Sequence, residues 1–143
     1  MNYRRARPLD GGMVLSPVLC TFILCDKVSS RQGKFSLEGI FYRVHPQAYP
    51  ARHKCYVVIG WCGGQGVYRL GLKFWSPGDR RLLLEIKDFL FTIKAASPYH
   101  NTVISAELSL PEEGIYYFEV LLDDRQVGRF PLYVMAPPAA RPQ

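Results

Sequence analysis

PEEGIYYFEVLLDDRQVGRFPLYV, residues 111–134, is the stretch whose reading decides the fold. Pro111 and Gly114 bracket a turn, with Glu112 and Glu113 at its exposed corner. From Ile115 onward the residues alternate. Tyr116, Phe118, Val120 and Leu122 point one way, and Ile115, Tyr117, Glu119 and Leu121 the other, which is the period of two of a β-strand. Asp123-Asp124-Arg125-Gln126 then predicts a tight polar hairpin, although the glycine favoured in two-residue turns is missing. Phe130, Leu132 and Val134 carry the alternation into a return strand. Pro131 has no N–H to donate to a ladder, so this strand is expected at a sheet edge, or with Pro131 facing outward there.

Gly-x-Tyr at the start of a penultimate strand has the form of the tyrosine corner of immunoglobulin-like sandwiches, in which the phenol hydroxyl bonds back to the preceding loop. Tyr116 is the candidate. Phe118 stands where antibody domains carry a cysteine, so the motif has to work here without a disulfide beside it.

Working outward, the same period recurs. Val18 to Cys25 and Cys55 to Cys62 are apolar on both faces, as central or covered strands are. Phe35 and Leu37, then Ile40, Tyr42 and Val44, change parity across Gly39, which predicts a β-bulge. Asp26 to Gly33 reads as a polar turn region, and His45 to Pro50, with two prolines, as an irregular connection ending in basic Arg52-His53-Lys54. Val67 to Trp75 alternates with Tyr68, Leu70, Leu72 and Phe74 inward and Arg69, Lys73 and Trp75 outward. Ser76-Pro77-Gly78-Asp79 is a turn. Leu82, Leu84 and Ile86, then Phe89, Phe91 and Ile93, predict a strand with a second bulge near Asp88. Lys94 to Asn101 reads as a loop, and Ile104, Ala106, Leu108 and Leu110 as the inward face of the next strand. No convincing helix is present. The expectation is an all-β, antiparallel immunoglobulin-like β-sandwich of about eight strands. Residues 13–136 form the one domain, after a flexible basic leader (1–12) and before a disordered Pro-rich tail (137–143).

At 143 residues the chain is long enough for one real core, and 48% hydrophobic against 21% charged residues fits a folded globular protein. The net charge of +6 is spread: the leader, with Arg4, Arg5, Arg7 and Asp10, holds +2, Arg141 adds one, and the body keeps +3. That is weak support for a polyanion partner. The leader followed by the apolar run Met13 to Cys25 superficially matches a signal peptide, but Ser16-Pro17 breaks the run and no small-x-small site follows. No apolar stretch approaches the ~20 residues needed to span a bilayer.

Catalytic and metal chemistry finds little to stand on. Gly60 to Gly66 lacks the Gly-Lys-Ser/Thr of a phosphate loop and reads as a hairpin turn. No Gly-x-Ser-x-Gly elbow occurs. His45, His53 and His100 fall in predicted loops, and nothing places them with a nucleophile such as Cys62 or Ser97. Cys20, Cys25, Cys55 and Cys62 have no zinc-site spacing; Cys25 with Cys55 and Cys20 with Cys62 can meet between strands, while reduced thiols in a cytoplasmic protein are the plainer expectation. No cofactor and no metal is expected, and the acidic pairs Glu112-Glu113 and Asp123-Asp124 read as solvated turn residues.

Ile23-Leu24-Cys25-Asp26-Lys27-Val28, Gly33 to Phe41, Gly114 to Leu122 and Gly128 to Leu132 together resemble a family of small bacterial β-sandwich proteins known only as a domain of unknown function. The similarity covers about residues 18–135. It implies a stand-alone cytoplasmic protein and brings no catalytic residues to carry over. A glycine is common in that family's hairpin where this chain has Asp124.

The function expected from these readings is non-catalytic: a subunit or adaptor acting through protein–protein contact or self-association. Apolar residues on the outward faces of neighbouring strands would gather into a partner surface, which singles out Trp75, Ile115, Tyr117, Leu121 and Pro131. The alternative is an anion- or nucleic-acid-binding module using Arg4, Arg5, Arg7, Arg52 and Lys54.

Overall fold

Alternation along the chain becomes alternation between core and solvent. The structure is a computed structural model in which residues 16–137 are described; the leader, with Arg4, Arg5 and Arg7, and nearly all of the tail lie outside them. Ten strands follow in chain order: β1 (Val18–Cys25), β2 (Lys27–Arg31), β3 (Lys34–Glu38), β4 (Arg43–Val44), β5 (Ala51–Cys62), β6 (Gly66–Trp75), β7 (Leu82–Ile93), β8 (Tyr99–Leu110), β9 (Gly114–Leu122) and β10 (Arg125–Val134). One 3₁₀ turn, Pro77–Asp79, joins β6 to β7.

Two sheets pack face to face. One has three strands in the order β1-β5-β8, the other five in the order β4-β10-β9-β6-β7, and a separate β2-β3 hairpin completes the set. All pairings are antiparallel except the short parallel contact of β4 with β10. The inward positions fill the space between the sheets with Val57, Ile59 and Trp61 of β5, Leu70, Leu72 and Phe74 of β6, Leu108 and Leu110 of β8, and Tyr116, Phe118 and Val120 of β9. Their rings interlock: Phe74 lies 4.5 Å from Phe118, and Phe22 stacks on Phe130 at 4.3 Å. Burying each such side chain stabilises the fold by about 1.5–3 kcal/mol, so this layer dominates.

The tyrosine corner is formed. Tyr116 is fully buried, its hydroxyl donates to the Glu112 carbonyl at 2.5 Å, and it accepts from the Glu112 N–H at 3.1 Å. Burial pushes the phenol pKa up, which keeps it neutral and able to donate. The turn at Pro111–Glu113 is thereby fastened where the chain crosses from one sheet to the other.

Several expectations need correction. The described residues form ten strands rather than about eight. Asp26 to Gly33 is no turn region, because Lys27–Arg31 pairs with Lys34–Glu38 around a turn at Gln32 and Gly33, both at positive φ. The alternation there was hidden because the hairpin is mostly exposed and polar. Gly39 does not make a bulge. It ends β3, where the Asp26 N–H donates to the Glu38 and Gly39 carbonyls. The Gly63 to Gly66 segment is a crossover between sheets, not a hairpin, since β5 and β6 belong to different sheets. β5 is central as expected, but β1 is an edge strand. His53 and His100 lie within β5 and β8, not in loops.

Other expectations hold. Asp88 sits at a bulge, with positive φ, where Lys87 and Asp88 together face Gly71. The β9–β10 hairpin turns on Asp123 and Asp124, both at positive φ. Aspartate tolerates that region better than most residues, and the Asp123 carboxylate accepts the Arg69 N–H at 2.9 Å.

Candidate partner-binding face

The outward positions of the five-stranded sheet come together because register aligns them. Leu82, Trp75, Tyr117 and Pro131 form one row across β7, β6, β9 and β10. Ile115 pairs with Tyr133 in the row to one side. Leu121 pairs with Gly71 and Gln126 further along. All five residues singled out from sequence, Trp75, Ile115, Tyr117, Leu121 and Pro131, therefore occupy a single face. Ile115 is 42% exposed and Pro131 is exposed, while Trp75, Tyr117 and Leu121 are half-buried.

Polar partners frame the aromatic rings. The Trp75 indole Nε1 donates to Glu119 Oε1 at 3.0 Å. The Arg129 guanidinium lies 4.0 Å over the Tyr117 ring and donates through Nη2 to both Asp79 oxygens at 2.9 Å. Lys73 stands between Glu85 and Glu119 in the register. A shallow depression beside this row, of about 440 Å³, is floored by Gly71 and Leu121 and rimmed by Arg69, Lys73, Lys87, Glu85 and Asp124. A side chain at Gly71 would crowd Leu121, whose Cβ lies 3.3 Å from where a Cβ would stand. Aromatic anchors ringed by mixed charges are the composition of protein-contact hot spots.

β10 also presents an open edge. β4 pairs only with Tyr133 and Val134, so among the described residues Pro131 has no strand on its other side. Here an apolar groove of about 300 Å³ runs between β10 and β1, lined by Phe22, Leu24, Ile40, Tyr42, Phe130 and Pro131. Ile40 and Tyr42 are each 60% exposed. Sequence reasoning missed them because it placed them in a paired strand. The available signal was the Ile40-Phe41-Tyr42 run, which lacks the polar alternate of a half-buried strand.

Of the basic candidates, only Arg52 and Lys54 fall among the described residues. Arg52 and Lys54 are exposed on β5 beside Glu107, which the Arg52 guanidinium meets at 3.5 Å and which pairs with Lys54 in the register. Cys62 is also kept apart from both strand histidines. His100 shares the inward face with Trp61 and stacks on Phe91 at 5.1 Å, and burial lowers its pKa; Cys62 belongs to the opposite parity. His53 stands at the far end of β5 from Cys62, roughly 30 Å away at strand rise. Among the described residues, no three His, Cys, Asp or Glu side chains gather as a metal site, and no helix is long and apolar enough to cross a membrane.

Fold and register thus define an all-β sandwich carrying one aromatic outer face. The chain belongs to a family of unknown function, DUF6941, which it matches over residues 20–135. No curated protein matches the sequence. Among solved structures, similarity extends to the Pseudomonas fluorescens alkylpurine DNA glycosylase AlkC bound to DNA containing an abasic site analog, at 9% identity and TM-score 0.48. That alignment covers 66% of this chain and only 28% of the glycosylase. A CARDB domain from Pyrococcus furiosus, in complex with di-metal ions, aligns at 14% identity and TM-score 0.44, covering 85% of this chain and 96% of that one. The sensor domain of the anti-sigma factor RsgI4 of Pseudobacteroides cellulosolvens aligns at 11% identity and TM-score 0.38, covering 86% and 98%. Likenesses at this level carry no argument about function.

Proposed function

We propose that this protein is a non-catalytic, cytoplasmic subunit or adaptor that binds another protein through the outer face of its five-stranded sheet. The supporting observation is the gathering of Trp75, Tyr117 and Pro131 in one cross-strand row, with Ile115 and Leu121 beside it. Half-buried rings of this kind offer large contact area at small entropic cost, and Arg129 and Glu119 already hold two of them in place.

The test compares the wild-type chain with a Trp75→Ala/Tyr117→Ala variant as bait in the native cell's lysate. Both are run at low and high salt with nuclease, after circular dichroism has shown that both are folded. A stoichiometric protein retained by the wild type at high salt and lost by the variant is the expected result. Recovery that is equal for both baits, or that vanishes with salt or nuclease, would overturn this reading and point to Arg52 and Lys54.

A further inference from the structure

Away from the aromatic face, the chemistry-bearing cluster is a pair of thiols on the other sheet. β1 and β5 pair as Val18 with Cys62, Leu19 with Trp61 and Thr21 with Gly60, so Cys20 is the extra residue of a β-bulge. Two residues, Cys20 and Thr21, thus oppose Gly60 alone. That position has to be glycine: a Cβ there would lie 2.9 Å from the Thr21 Cβ and 2.8 Å from Asn101 Oδ1. These contacts place the Thr21 side chain on the outer face of the three-stranded sheet. Trp61 is buried inward, so its neighbour Cys62 shares that outer face. Both cysteines are free, Cys20 exposed and Cys62 half-buried, and Cys20 is the neighbouring group that, after burial, raises the Cys62 thiol.

The second pair differs. Cys25 is matched with Tyr56, which puts Cys55 one position out of step, on the inward face. The bridge between Cys25 and Cys55 that sequence left open is therefore blocked by the sheet itself. Burial pushes the Cys55 thiol up to about 12.

We propose that Cys20 and Cys62 form a site of reversible oxidation, taking a low-molecular-weight disulfide such as oxidised glutathione and closing to an intramolecular disulfide. The exposed Cys20 loses its proton and attacks one sulfur of the oxidant, forming a mixed disulfide and releasing one thiolate. Cys62, deprotonated in turn, attacks Cys20 Sγ and releases the second thiolate. The two protons shed by the protein neutralise the two leaving thiolates, so two protein thiols are oxidised and one small disulfide is reduced to two thiols. Burial and the neighbouring Cys20 thiol raise the Cys62 pKa, which leaves the first attack to the exposed Cys20; the second step is helped by being intramolecular. The bond ties the N-terminal half of the edge strand β1 to the central β5. It encloses a loop of roughly 40 residues, which raises the melting temperature by about 10 °C.

The test exposes the full-length chain to oxidised glutathione, removes the reagent, and measures intact mass, a non-reducing peptide map and thermal melting. The expected product has lost two hydrogens, joins the Cys20 and Cys62 peptides, melts about 10 °C higher and reverts with dithiothreitol. Cys20→Ser and Cys62→Ser should each abolish it. An unchanged mass, a persistent glutathione adduct on Cys20, or a bridge drawn from Cys25 or Cys55 would overturn the proposal.

Discussion

Replacing Tyr116 by phenylalanine removes one oxygen atom and leaves the ring in the core. The ring, wholly buried beside Phe74 at 5.4 Å, keeps its packing, so the change reads the corner alone. Lost are the bond to the Glu112 carbonyl and the bond from the Glu112 N–H. Each is worth about 1 kcal/mol net, and both Glu112 groups are left seeking water at a half-buried corner. The expected loss is therefore about 2 kcal/mol, or a melting temperature lower by about 8 °C. Urea unfolding followed by tryptophan fluorescence measures it: the midpoint should fall by about 1 M with the slope unchanged, because the surface buried is nearly the same. A change below about 0.5 kcal/mol would refute the claim that the corner fastens the crossover from β8 to β9.

Three further outcomes follow from other sites. Asp123→Ala should cost about 1–2 kcal/mol, because alanine tolerates the positive φ of that turn poorly and cannot accept the Arg69 N–H, whereas Asp123→Asn should stay near wild type in the same urea assay. Gly60→Ala should cost about 1–3 kcal/mol by driving a methyl into Thr21 and Asn101, and the additional change Asn101→Ala, which removes the Oδ1 at 2.8 Å, should recover part of the loss in thermal melts. Raising the pH should destabilise the fold through Cys55: its folded pKa of about 12 lies above the unfolded value of 9.0, so between those values the native state holds a proton the unfolded chain has released. Its contribution is intact below pH 9 and fades upward, by about 1.4 kcal/mol at pH 10. Comparing urea midpoints at pH 8 and pH 10 for wild type and Cys55→Ala checks this, and an equal alkaline loss in both would count against Cys55 as its source.

Period, turn chemistry and composition determined the class of this protein. Tyr116, Phe118, Val120 and Leu122 had to face a core because they alternate with residues that do not, and Gly114-Ile115-Tyr116 carried the corner in three letters. Trp75, Tyr117 and Leu121 were legible as outward for the same reason. Period says which side of a strand a residue takes, but not which strand lies beside it. That Trp75, Tyr117 and Pro131 fall in one row is a matter of register and strand order, set by long-range pairing between β6, β9 and β10. The same limit sets Glu107 beside Arg52 and Lys54, hides the exposed β2–β3 hairpin whose polar residues bury too little to leave an alternating trace, and turns the Gly63 to Gly66 segment from a hairpin into a crossover. It also decides between two thiol pairings that spacing alone left equal. Cys20 and Cys62 share the outer face of the three-stranded sheet, and the pleat sends Cys25 and Cys55 to opposite faces, because side-chain direction alternates strictly along a strand and only the tertiary pairing says against what.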